Sequence, residues 1–377
     1  MSLREVDLHI TNKCCLNCSI CCFNCNEDFL AEMSTTELIN VIHQAKKAGA
    51  SDIHFTGGEP LLREDLEELI RLSVFLDMEP RLLTNGMLLT ESRARRLSSA
   101  GLQKIMISID SPVASINDSI RGKGAFEGAC KSIKIAKKMK WDIRINAVIH
   151  KITVSTFVDL ICFSENLGVH RISAFYLSPI GRCRKHDELW LTPDDYMSFR
   201  FALEGDIQRL RQSERFQNMD IIVEPAYLLW DKGKSFDISD FGGCGGGCNN
   251  SFMKREYLLI KCNGDVYPCV MLHEMQGGLG NVLTHSLENI LENDEAWSIL
   301  KRDVTAFGCN DCSNLELCGG GCAGYSLLMS GDPALPDPRC NPGRLIPLCP
   351  IMKYNFNGDR FGGASDEVII DKIDRLQ

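Results

Sequence analysis

From Cys14 to Cys21 the chain reads Cys-Cys-Leu-Asn-Cys-Ser-Ile-Cys, which sets Cys14, Cys18 and Cys21 in a C-x3-C-x2-C spacing. The run starts where the first strand-like stretch, Val6-Asp7-Leu8-His9-Ile10, gives out. Three thiolates on one short loop can hold three irons of a 4Fe–4S cubane, a cluster that takes four cysteines when it is wholly protein-bound. One iron is then open to a reactant, by the logic that separates catalytic from structural zinc sites. Spacing alone leaves two alternatives standing. Zinc also uses C-x2-C pairs, and Cys15, Cys22 and Cys25 crowd the same loop, so that Cys18, Cys21 and Cys25 offer a second register, C-x2-C-x3-C.

The whole chain carries 19 cysteines in 377 residues. No run approaches the roughly eighteen apolar residues of a membrane helix, and Met1 to Glu5 is too short and polar for a signal peptide. The chain therefore reads as soluble and cytoplasmic, a setting in which many cysteines argue for metal and not for disulfides. A net charge of −9 leaves no basic footprint for nucleic acid.

Short β-branched runs alternate with longer amphipathic stretches as far as about Ile180. The strand candidates are Val6 to Ile10, Asp52 to Phe55, Pro80 to Leu83, Lys104 to Ile109, Asp142 to Ile149 and His170 to Tyr176. Helical candidates between them include Thr35 to Lys47, Leu62 to Phe75 and Glu91 to Ser99. Six strand-then-helix repeats predict an α/β domain with a parallel sheet, whose chemistry collects at the C-terminal ends of the strands. Gly57-Gly58-Glu59-Pro60 falls there, after the second strand; two glycines let backbone approach a ligand closely and the proline fixes the exit of the turn. Thr84-Asn85-Gly86 follows the third strand and Ser108-Ile109-Asp110 ends the fourth. Taken alone, Gly57 to Pro60 is better read as a tight surface turn, and Thr84-Asn85-Gly86 is a weak signal.

The cysteine loop followed by Gly57-Gly58-Glu59-Pro60 resembles the radical S-adenosylmethionine (SAM) superfamily. The likeness departs from the family pattern at Cys22, where an aromatic residue is common. It implies a partial (β/α)6 barrel in which the amine and carboxylate of SAM chelate the open iron, and one electron releases a 5′-deoxyadenosyl radical. It further implies SAM contacts from Gly57, Gly58, Glu59, Pro60, Asn85, Ser108, Asn146 and Leu177. Arg121 would pair with the SAM carboxylate, since a planar guanidinium grips carboxylates bidentately. An external electron donor such as flavodoxin or ferredoxin is expected.

Past Pro179-Ile180-Gly181-Arg182 the repeat breaks, a helical stretch runs from Pro193 to about Gln212, and Ile221 to Glu224 reads as an extra strand. Gly242 to Gly247 is too glycine-dense for regular structure. A boundary near 216 divides a barrel (1–216) from a second domain (217–355) and a tail (356–377). Cys262 to Cys269 reads as a hairpin with Asn263-Gly264 at its turn, aiming Cys269 inward from a rigid strand. Cys248, Gly264 through Cys269, Cys309-x2-Cys312-x5-Cys318-x3-Cys322 and Cys340 resemble the SPASM pattern of radical SAM enzymes at every spacing. By that resemblance Cys309, Cys312, Cys318 and Cys340 hold one auxiliary 4Fe–4S cluster. Cys248, Cys269 and Cys322 hold the other, with Cys244 as fourth ligand and Cys262 its alternative. Three clusters are expected in all.

The resemblance favours a net oxidation. Val270 stands where sulfatase-maturing relatives have an aspartate, which argues against that activity. Cys318 to Cys322, Gly331-Asp332-Pro333 and Asp337-Pro338-Arg339-Cys340 look like the subgroup that includes pyrroloquinoline quinone and haem-type maturation enzymes. The expectation is oxidative maturation of a peptide or cofactor precursor. A radical sugar epimerase or dehydrogenase and a non-catalytic iron–sulfur electron carrier are the alternatives. Glu224, Tyr176 and His150 are substrate-side candidates by position alone, each more readily read as a structural hydrogen-bonding group.

Overall fold

A computed structural model of the protein describes residues 3–27, 31–192, 255–298 and 319–337. It also describes 195, 198–199, 203, 205–206, 209–210, 212, 216, 219–224, 303–304, 309–310 and 315. Seven parallel strands form the body of the sheet: β1 (Glu5–Thr11), β2 (Asp52–Gly57), β3 (Glu79–Thr84), β4 (Lys104–Ser108), β5 (Asp142–Ile149), β6 (Arg171–Tyr176) and β7 (Asp220–Glu224). Helices α1 (Thr35–Lys47), α2 (Leu66–Phe75), α3 (Glu91–Ala100), α4 (Ala114–Arg121), α5 (Ala125–Lys138) and α6 (Phe157–Asn166) lie on the crossovers. The first six strands and their helices are the partial (β/α)6 barrel. The expected extra strand is β7, which pairs with β6 at Arg171↔Asp220, beyond residue 216.

Local chemistry explains where the elements start. Ser34 caps α1 through a reciprocal capping box with Glu37, Thr90 caps α3, and Gly101 closes α3 at φ +104°. The helix expected from Leu62 instead begins at Leu66, after a single 3-10 turn at Pro60–Leu62. The cause lies in Arg63. Its backbone is extended while its guanidinium donates to the carbonyls of Ile10 and Met33, each at 3.1 Å, and pairs with Asp65.

Alternation along the strands separates two faces. Val6, Leu8 and Ile10 are fully buried in the apolar layer beneath the helices, with Leu38, Val41 and Ile42 of α1. Asp7 and His9 take the opposite, concave face. There Asp7 accepts from Tyr257 Oη at 2.6 Å and meets His54 Nδ1 at 2.8 Å.

The C-terminal half joins this same sheet. β8 (Tyr257–Ile260) lies parallel to β1, with Glu5↔Tyr257, and β9 (Asp265–Tyr267) and β10 (Gly280–Asn281) follow antiparallel. The turn between β8 and β9 falls at Asn263-Gly264 as expected, with Gly264 at φ +88°. No helix among the described residues is long and apolar enough to cross a membrane.

Candidate functional site

The loop that leaves β1 is closed by its own side chains. Asn26 Oδ1 accepts from Cys14 N at 2.8 Å, and Asn26 Nδ2 donates to the carbonyls of Cys14 and Leu16. Glu32 holds the loop's base, accepting from Thr11 Oγ1 and Asn12 N at 2.8 Å each. The Gly57-Gly58 turn lies flush against that base: Gly58 N donates to Thr11 O at 2.7 Å and Glu59 N to Lys13 O at 2.8 Å. A Cβ on Gly58 would stand 2.2 Å from Lys13 O, and one on Gly57 2.4 Å from Thr11 O. Only glycine fits, so the two motifs recognised separately in the sequence form one seat.

Three cysteines of the loop have distinct surroundings. Cys18 Sγ lies 3.3 Å from Arg121 O, Cys14 Sγ faces Leu16 N at 3.4 Å, and Asn85 Nδ2 approaches both Cys14 Sγ and Cys15 Sγ. Thiol pairs share protons here. A hydrogen bond from Cys14, helped by Asn85, brings Cys15 down to about 6; one from Cys25, helped by Arg182, brings Cys21 down to about 6. Burial pushes Cys18 up to about 11. Among the described residues the one trio of metal-ligand atoms within 4.8 Å of one another is Glu5, Asp7 and His54.

Glu59 joins this seat to the next strand. It is fully buried and accepts from Leu61 N, Thr84 Oγ1 and Asn85 N at 3.1, 2.7 and 2.9 Å. Burial pushes its carboxyl up to about 7 against the pull of those bonds. Gly86, at φ +82°, completes the turn, with its carbonyl held by Ser132 Oγ. Asn85 is thereby aimed at the cysteines.

The next ring residue shows something the sequence did not. Arg121 directs Nε and Nη2 to the two oxygens of Asp110, at 2.6 and 2.8 Å. Asp110 is 1% exposed, and it also accepts from Val148 N at 2.8 Å. The fork expected to face a ligand carboxylate thus grips a carboxylate of the protein and locks α4 to β4 and β5. The neighbouring Ser108 pairs with Asn146 across β4 and β5. Asn146 Nδ2 approaches Met106 Sδ at 3.7 Å, while its Oδ1 is buried without a partner. Leu177 is buried, with its amide on Ile149 O.

The substrate-side candidates separate. His150 is buried, its Nδ1 3.3 Å from Ile152 N and its Nε2 unpartnered. Tyr176 points away, into the apolar core, edge-on to Phe199 at 6.1 Å. Glu224 ends β7 opposite Phe175. A residue not singled out from the sequence, His9, is fully buried on the concave face with neither ring nitrogen hydrogen-bonded. It packs against Phe23 at 4.5 Å, which in turn meets His273 at 4.9 Å, and burial pushes its imidazole down to about 3. Its signal was there to read: a histidine in phase with Asp7 and Thr11, not with the apolar face.

In the second half, Cys269 and Cys322 are both buried and close enough for each charge to disfavour the other. Cys322 caps the helix Ala323–Ser330, its Sγ facing Tyr325 N, and its amide is held by Asp337. Cys262 is buried with its charge neighbours on the barrel side, Glu32, Lys261 and Arg63. Cys309 is partly exposed. Cys244, Cys248, Cys312, Cys318 and Cys340 lie outside the described residues.

Two family models match this chain: the radical SAM superfamily over residues 8–163 and SPASM, an iron–sulfur cluster-binding domain, over residues 248–318. The chain is similar to an AdoMet-dependent heme synthase of Oleidesulfovibrio alaskensis, 28% identical over 353 residues, which cover 89% of this chain and 87% of the relative. It is also similar to the mycofactocin maturase MftC of Mycobacterium tuberculosis, 25% identical over 344 residues, covering 90% and 83%. Among solved structures, Streptococcus suis SuiB bound to precursor peptide SuiA has a TM-score of 0.71 at 21% identity, over 90% of this chain and 76% of that one. At that identity the last likeness bears on the fold alone.

Proposed function

Because this chain is a radical SAM enzyme with a C-terminal SPASM domain, we propose that it carries out the oxidative maturation of a peptide or cofactor precursor. The observation that carries the reading is the seat itself, where the backbone of the three-cysteine loop meets a glycine turn that admits no side chain. The names of the relatives, a heme synthase and a mycofactocin maturase, support the precursor class.

Cys14, Cys18 and Cys21 would hold the first cluster, which when bound supplies the electron that cleaves SAM to a 5′-deoxyadenosyl radical. The backbone of Gly57 to Pro60 lines the approach to it. Asn85 orients the loop by hydrogen bonds near the sulfurs, Glu59 holds Asn85, and Asp110 with Arg121 fixes the far wall. The free Oδ1 of Asn146 offers one buried acceptor to a ligand. Cys269 and Cys322, with Cys248 and Cys244, would hold one auxiliary cluster. Cys309, Cys312, Cys318 and Cys340 would hold the other. An electron donor of the flavodoxin or ferredoxin type and a cytoplasmic setting belong to the same reading, as does the division of the chain near 216 and 355.

Iron, sulfide and zinc content with Mössbauer spectra, on anaerobically reconstituted protein and its Cys14/Cys18/Cys21→Ala variant, test this. The expected result is about twelve irons in the parent and about eight in the variant, with SAM converted to 5′-deoxyadenosine by the dithionite-reduced parent alone. Zinc in the second half, or equal iron in both proteins, refutes it.

A further inference from the structure

The segment that follows β6 does more than break the repeat. A 3-10 turn at Gly181–Lys185 is laid across the cysteine loop. The Arg182 side chain, 5% exposed, donates Nη1 to Cys18 O at 2.8 Å, Nη2 to Cys25 O at 2.6 Å and Nε to Glu27 Oε1 at 2.8 Å. Its own amide donates to Cys21 O at 2.9 Å. Four acceptors spread over residues 18–27 therefore converge on one residue. Those carbonyls belong to a loop with no ladder of its own, and buried carbonyls need donors.

The fit beneath the arginine is close. Gly181 sits at φ +59°, and a Cβ there would stand 2.3 Å from Cys22 O and 2.4 Å from Cys21 O. Its amide donates to Glu274 Oε1 at 3.0 Å, and Arg184 grips the other oxygen of Glu274. Glu274 lies five residues beyond Cys269. One short strap thus holds the first cysteine loop and abuts the segment that follows an auxiliary-cluster cysteine.

The charge matters beyond the hydrogen bonds. Glu27, the counter-ion of Arg182, is 36% exposed and shared with Lys185 at 2.8 Å, so the buried guanidinium is incompletely neutralised. Reducing a cluster adds a negative charge, and a cation held beside it away from water favours the reduced form. We propose that Arg182 is the positioning residue of the first cluster: its fork fixes the backbone carbonyls of Cys18 and Cys25, on either side of Cys21, and its charge raises the cluster's reduction potential. This rests on the assignment of that cluster to Cys14, Cys18 and Cys21. Lysine can replace the charge but not the fork, because its ammonium is a point donor on a flexible stem.

The test uses full-length protein, anaerobically reconstituted, as wild type, Arg182→Lys and Arg182→Gln. The readouts are the rate of iron loss to a chelator and the midpoint of the SAM-perturbed EPR signal in a redox titration. Arg182→Gln is expected to lose iron several-fold faster and to show about a tenfold lower reduced-to-oxidised ratio at fixed potential, a shift of about 59 mV for one electron. Arg182→Lys is expected to keep the wild-type midpoint but lose iron faster. A wild-type midpoint in Arg182→Gln overturns the electrostatic role, since a purely structural arginine leaves the potential unmoved. Should Arg182→Gln hold no iron at all, Arg182→Lys decides the fork, where wild-type iron retention overturns it, and Glu27→Gln decides the charge, where a midpoint not raised above wild type overturns it. A wild-type protein without any SAM-perturbed signal refutes the cluster assignment itself, and this proposal with it.

Discussion

Asp110→Asn isolates the ion pair that locks the barrel wall. In the parent both carboxylate oxygens accept from Arg121, and Oδ1 also accepts from Val148 N. An asparagine carbonyl placed at the Oδ1 position keeps Val148 N and Nη2. Its amide nitrogen then faces Arg121 Nε across 2.6 Å, donor against donor, beside a guanidinium that is only 11% exposed. Breaking a buried pair by removing one partner costs about 3–5 kcal/mol, because the other charge is left uncompensated. Arg121→Met should cost a similar amount. The double variant should cost well below the sum, since it leaves no buried charge and the introduced asparagine still serves Val148. Urea unfolding followed by far-UV circular dichroism reads each value as a midpoint shift at constant slope, and high salt should change none of them, because buried charges are poorly screened. A loss under about 0.5 kcal/mol for Asp110→Asn, typical of a surface change, or strict additivity in the double variant, refutes the reasoning.

Gly58→Ala drives a Cβ to 2.2 Å from Lys13 O; overpacking against backbone of this kind costs about 1–3 kcal/mol, and iron at the first cluster should fall while the auxiliary irons stay. His9 has an imidazole held down at about 3, so between pH 6.5 and 3 the unfolded chain binds a proton that the folded one refuses, and stability falls as pH drops through that window. His9→Leu should remove this loss, about 1.4 kcal/mol per pH unit at most, so the variant's advantage grows on acidification. Glu59 has the opposite sign: its carboxyl is raised from 4.5 to about 7, so the folded protein keeps a proton that the unfolded chain has released. Wild type should therefore lose up to about 3 kcal/mol relative to Glu59→Gln as pH rises from 4.5 to 7, and a pH-independent gap refutes this.

What was readable before the fold was known is what rests on spacing and period along the chain. The cysteine loop, Gly57-Gly58 and the Asn263-Gly264 hairpin are local devices, since a glycine demanded by a turn is demanded by its immediate neighbours. The β strands followed from β-branched runs, and the error at α2 came from Arg63, whose partners Ile10 and Met33 are 53 and 30 positions away. Distance along the chain decided the rest. The resemblance assigns Arg121 to a ligand carboxylate; that its guanidinium also holds Asp110 comes only from the packing of α4 against β4 and β5. Arg182 looked like part of a break until the sheet brought it across to Cys18 and Cys25, 164 and 157 residues earlier. Likewise β8 pairs with β1, and Tyr257 hydrogen-bonds Asp7 from 250 residues along the chain. A side chain's donors and charge are written in its residue type, but which partner satisfies them is set by the crossovers that bring strand ends together, and no period in the sequence carries that information.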